Sequence, residues 1–171
     1  MEIPLTILPA SRASCSGRAD PVTAAQAMAN RVEEFFRHYE RTFNRALAGE
    51  IGMDEVAQLY AAEFVTAWPG GVMTGKNDEQ LRETLAQGYE RYRALGTRGM
   101  RLRGVRLSPI DDLHCLAHVV WTATYLPEGR DEEVTIDFDV HYFVRDPAGE
   151  PQAFGWVSGD EEALMKEHGI G

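Results

Sequence analysis

Apolar residues recur at intervals of three and four from Met28 to Leu47, the spacing that lines one stripe of an α-helix. Met28, Val32, Phe35, Phe36, Tyr39, Phe43 and Leu47 make up the stripe, which predicts a long amphipathic helix packed on something flat. Thr23 followed by Gln26 matches a capping box at its start, and Gly49 suits the left-handed conformation that ends it. A short second helix opens at Asp54 with Val56, Leu59 and Tyr60 inward, and runs into FVTAW, a strand-like stretch closed by Pro69, Gly70 and Gly71. Asn77 with Gln80 repeats the capping pattern before a third helix that buries Leu81, Leu85, Tyr89, Tyr92 and Leu95 and stops at Gly96. Gly88 within that helix predicts a close approach by another backbone.

After Gly96 the period changes to two. Met100 and Leu102 share one side, and Val105 and Leu107 continue the pattern one residue out of phase, which predicts a β-bulge at Gly104. LHCLAHVVWTATYL (113 to 126) is apolar on both faces, and the PEGRDEE segment turns it into TIDFDVHYFVRD (135 to 146). DPAGEP turns again into QAFGWVS, and Ser158 with Glu161 predicts the cap of a last short helix ending at Gly169. Helices first and strands afterwards imply an α+β domain with three N-terminal helices on one face of a curved, mainly antiparallel sheet and a short C-terminal helix.

The chain of 171 residues is 44% apolar, enough for one core, so residues 22–171 are read as one domain and 1–21 as a poorly ordered tail. Glu2 and the prolines at 4 and 9 argue against a secretion signal, and Arg12 ahead of Cys15 against a lipid-attachment motif. With 27 acidic and 17 basic side chains the net charge is -10, which disfavours nucleic acid and anionic membrane and leaves a small neutral or cationic molecule, or another protein, as partner. Two isolated cysteines make neither a disulfide framework nor a metal site, so a reducing cytoplasm is the expected compartment.

The element order, together with LYAAEFVTAWPGGVMTGKNDEQL (59 to 81) and HYFVRDPAGEP (141 to 151), resembles the nuclear transport factor 2-like superfamily, especially its SnoaL-like and ketosteroid-isomerase-like branches. The resemblance implies a cone, in which a strongly bent sheet wraps the helices around a largely apolar pocket. It implies a small apolar or aromatic ligand, no cofactor, no metal, and a homodimer. The enzymes of that superfamily suggest isomerase, cyclase or dehydratase chemistry by proton transfer, and its non-catalytic members suggest a dimerisation or partner-binding module instead. Pocket residues implied in this way are Tyr39, Trp68, Trp121, Phe138, Tyr142 and Trp156.

The isomerase's catalytic groups do not carry over. Trp68 stands ahead of Pro69 where the proton-shuttling aspartate is expected, Val140 falls at the acid that steadies the oxyanion, and the catalytic tyrosine falls near Thr42, one turn from Tyr39. Sliding the alignment by one residue brings His141 to the acid's place, with Asp139 beside it to orient the ring, and these two form the candidate catalytic pair. That reading needs Asp137, Asp139 and His141 to face the pocket. Burial energetics favour the opposite rotation, with Val134, Ile136, Phe138, Val140, Tyr142 and Val144 inward, because each apolar group contributes about 1.5–3 kcal/mol whereas an unpaired buried carboxylate costs several.

Overall fold

A computed structural model describes residues 21–170. The anticipated tail lies outside the described residues apart from Pro21, which already belongs to a helix. Helix α1 (Pro21–Leu47) carries the predicted stripe, with Met28, Val32, Phe35, Phe36 and Leu47 buried and Tyr39 and Phe43 partly so. Thr23 lies inside the helix as described, so the expected capping box is not at its N-cap position.

Helix α2 (Met53–Ala57) leads into β1 (Tyr60–Trp68), which hairpins onto β2 (Gly71–Lys76). The sequence pattern misses β2 because its Val72 and Met73 face solvent, leaving no buried alternation to detect. Helix α3 (Glu79–Ala94) is capped by Asp78, whose carboxylate accepts from the backbone N–H groups of Gln80 and Leu81. Asn77, the expected cap, instead donates to the carbonyls of Ala57 and Tyr60 at 2.8 and 3.0 Å, pinning α2 to β1. No atom comes within 4 Å of a Cβ built on Gly88, so the expected close approach is not there. Gly96 does end α3's connection in the left-handed region at φ 78°, where a side chain would also strike the Leu126 carbonyl.

Strands β3 (Thr97–Pro109), β4 (His114–Tyr125), β5 (Val134–Arg145) and β6 (Gln152–Ser158) complete one sheet in the order β2-β1-β6-β5-β4-β3. Every neighbouring pair is antiparallel except β1 with β6. The register of β3 on β4 slips between Leu102 and Gly104, where the phase change predicts a bulge. Helix α4 (Glu161–Glu167) is capped by Asp160, which accepts from Ala163 N at 2.9 Å; Ser158 remains in β6.

Strand alternation decides the core. Val119, Trp121, Ala123 and Tyr125 of β4 and Ile136, Val140, Tyr142 and Val144 of β5 are buried against the helices, so the apolar row of β5 faces inward. Arg31 of α1 reaches the buried Asp146 just past β5 at 2.5 and 2.8 Å, fixing the helix across the sheet's end. Among the described residues no helix is long and apolar enough to cross a membrane.

Candidate functional site

A cavity of about 530 Å³ lies between the inner face of the sheet and the helices, within the size range of small-molecule sites. Tyr39 of α1, Phe138 and Tyr142 of β5 and Trp156 of β6, four of the six residues expected to line a pocket, stand on its wall. Trp121 does not. It is fully buried behind the wall, with its ring 5.6 Å from that of Tyr39. Trp68 lies apart from the cavity at the end of β1, paired with Gly71 where the outer hairpin runs into solvent, and is 43% exposed.

The wall is rich in phenols. Tyr39 and Tyr60 share a hydrogen bond at 2.9 Å, and their rings meet edge-on, as do those of Tyr39 and Tyr142. Burial raises the pKa of Tyr39, and those of Tyr60 and Tyr142 lie well above the ordinary phenol value through burial and the neighbouring Tyr39. Burial likewise pushes Tyr125 up to about 12. At neutral pH these hydroxyls are therefore protonated and serve as hydrogen-bonding groups, not as bases. Behind them, the Trp121 Nε1–H is buried without a hydrogen-bond partner among the described residues.

One carboxyl differs from the rest. Glu161, the first residue of α4, lies on the cavity's rim; the residue as a whole is exposed, yet loss of hydration raises its carboxyl pKa against the opposing pull of Arg91 and a hydrogen bond from Tyr92. Sequence reasoning placed Tyr60 and Tyr92 in the core and Glu161 in a capping box. No local signal distinguishes a phenol that touches a void from one that touches a neighbour.

The polar row of β5 stands on the opposite face of the sheet. Asp137, Phe138, Asp139 and Val140 all border the cavity, but strand alternation turns the Val140 side chain to the buried face and those of Asp139 and His141 to the other, where Asp137 and Asp139 find their side-chain partners. Asp137 accepts a hydrogen bond from Thr122, and Asp139 Oδ2 lies 2.8 Å from His118 Nε2. The one-residue slide that would aim His141 into the pocket is thus not the rotation this strand adopts. His141 instead stacks on His118 with ring centroids 4.5 Å apart, and Arg106 reaches His118 Nδ1 at 3.0 Å. Because guanidinium only donates, Nδ1 accepts, and Nε2 carries the proton shared with Asp139.

Ligand atoms of His118, Asp139 and His141 come within 4.8 Å of one another, the right residue types for a transition metal. Both nitrogens of His118 are already engaged, one of them by a cation, so a metal would have to displace Arg106 or the Asp139 contact. His114 is absent from this group; its Nδ1 binds Asp111 at 2.9 Å.

Residues 28–161 match the model of a family described as NTF2-like protein (DUF6841). The chain belongs to this NTF2-like family. Solved structures similar to it include an NTF2-like protein with a cystatin-like fold from Novosphingobium aromaticivorans, at TM-score 0.60 and 13% identity, covering 88% of this chain and 97% of that one. A candidate scytalone dehydratase from the same organism aligns at TM-score 0.60 and 12% identity over 80% and 85% of the two chains. A ketosteroid isomerase-like protein from Erwinia carotovora atroseptica aligns at 0.54 and 16% over 76% and 93%. Comparison with curated proteins gave no match. At these identities the structural likeness establishes the NTF2-like cone, an α+β fold with a curved, mostly antiparallel sheet around its helices, and nothing about chemistry.

Proposed function

We propose that this NTF2-like domain binds a small apolar or aromatic molecule in the cavity between sheet and helices. The observation that carries the reading is the wall itself: apolar side chains and protonated phenols around about 530 Å³ of space. A ring-bearing ligand gains burial and aromatic contacts there, and its polar group meets a hydroxyl. Proton-transfer chemistry on such a ligand, of the isomerase, cyclase or dehydratase kind, belongs to groups that reach the cavity. The carboxylates of Asp137 and Asp139 are paired on the other face of the sheet and Asp160 caps α4, which leaves Glu161 as the ionisable group suited to it.

The test is isothermal titration of 2-naphthylmethanol into the purified protein and into Ala123→Phe, which fills the void from β4. Saturable binding to the natural protein and at least tenfold weaker binding to the filled variant, with far-UV circular dichroism unchanged, is expected. No binding, or equal binding to both, would overturn the assignment.

A second reading, self-association through the outer face of the sheet, is favoured by the exposed Val72 (73%) and Val157 (42%), which the β2-β1-β6 register places in one row beside Ala67. Along the same face, arginines of β3 lie beyond the Asp137–Asp139 row, so two copies can match opposite charges edge to edge. Sedimentation should then report a dimer that loosens as salt rises; a monomer at low salt would exclude it.

A further inference from the structure

The charge around the cavity is one-sided. Among the described residues, its lining includes no lysine, arginine or histidine, whereas it includes four acidic residues, Asp137, Asp139, Asp160 and Glu161. Arg91, the cation that acts on Glu161, is exposed and held by Glu162 at 2.9 Å. The side chains of Asp137 and Asp139 belong to the other face of the sheet, which leaves Asp160 and Glu161 as the formal charges available to a ligand. Of these, Asp160 is occupied in capping α4, while Glu161 is acted on by the Tyr92 phenol and by the Arg91 guanidinium, which is itself paired with Glu162.

The wall offers the matching complement. Eight aromatic residues border the cavity, among them Tyr92 and Tyr125, both close enough to Glu161 to interact with it, and Tyr39, Tyr60 and Trp156. An organic cation is attracted by the electron-rich faces of such rings, and the attraction strengthens where water is excluded. An anionic ligand would meet those same faces, two carboxylates and no positive side chain. A neutral ligand would add no charge to balance Glu161 beyond what Arg91 and Tyr92 supply.

We propose that the cavity selects a hydrophobic ammonium, an aromatic or alicyclic amine whose rings fill the apolar wall while its nitrogen sits between Glu161 and the phenol faces. This rests on the cavity being a binding site and specifies its ligand class. The ammonium donates to the Glu161 carboxylate, and the ring quadrupoles share its charge. Net charge of -10 over the whole chain assists by drawing cations toward the molecule.

The experiment compares three probes of one shape at pH 7 by isothermal titration: 2-naphthylmethylamine, 2-naphthylmethanol and 2-naphthoate. The amine should bind at least tenfold more tightly than the alcohol, and the carboxylate more weakly than either. Glu161→Gln should reduce the amine to within twofold of the alcohol's affinity, Glu161→Asp should retain a preference for the amine, and Glu167→Gln, at an exposed carboxylate of the same helix, should leave the preference unchanged. Alcohol binding without a preference for the amine overturns the proposal and leaves the cavity reading standing. A preference that survives Glu161→Gln, or falls equally in Glu167→Gln, overturns it in favour of general surface charge. Failure of all three probes to bind removes the cavity reading, and this one with it.

Discussion

His118 of β4 and Asp139 of β5 meet at 2.8 Å on the face of the sheet turned away from the cavity, while the residues next to them, Val119 and Val140, are buried on the other side. The side chains of the candidate catalytic pair therefore point to the other face of the sheet, although Asp139 as a residue borders the cavity. His141→Ala and Asp139→Asn should each leave the affinity for 2-naphthylmethanol within twofold of the natural protein, measured by titration. A loss beyond tenfold in either, with the fold intact, would mean that the polar row reaches the ligand.

The two tryptophans that look alike in sequence should behave oppositely. Trp121 is fully buried against Phe36 and Tyr39, so Trp121→Ala should cost about 3–5 kcal/mol in chemical denaturation. Trp68 is 43% exposed, and Trp68→Ala should stay within about 1 kcal/mol. Equal losses would contradict the packing described.

Removing Arg31 should be severe for a residue on a partly exposed helix face. Its guanidinium is the side-chain partner of the Asp146 carboxylate, which is only 3% exposed as a residue, and Arg31→Met leaves that charge buried and unpaired. About 3 kcal/mol of stability should be lost in urea unfolding. Arg37→Met, on the same helix but with exposed partners at 3.5 and 3.8 Å, should lose at most about 1 kcal/mol.

Glu161 sets a sign for pH dependence. Its folded pKa lies above the ordinary 4.5 because burial disfavours the charged form, so between those two values the folded state holds more proton than the unfolded chain. The contribution of this group is present at low pH and declines as pH rises from about 4.5 through the raised folded value. Melting curves of Glu161→Gln and the natural protein should accordingly diverge upward through that window, the variant gaining relative stability. Curves that stay parallel from pH 4 to 7 would show that the carboxyl is as well hydrated folded as unfolded.

Much of the architecture was legible in local pattern. The stripe from Met28 to Leu47, the change to period two after Gly96 and the phase slip at Gly104 each report which side of an element is buried, because apolar burial is enforced residue by residue along it. Caps were less legible. Asn77 and Asp78 are neighbours with the same capping chemistry, and the choice fell to Asp78 because Asn77 was needed to satisfy carbonyls of α2 and β1 more than fifteen residues away. Strand β2 escaped for a related reason: an edge strand with exposed apolar residues has no buried face to betray it.

By itself, then, the sequence determined the class of each long element, the inward rotation of β5 and the acidic balance that disfavours anionic partners, all consequences of composition and period. Only the tertiary structure decided which aromatics border empty space, that Trp121 packs behind the wall and Trp68 beyond it, and that Glu161 comes to the rim beside Tyr92. A cavity is a place where packing stops, and that depends on how α1, α3, α4 and the curved sheet meet across long stretches of chain. No local pattern encodes it.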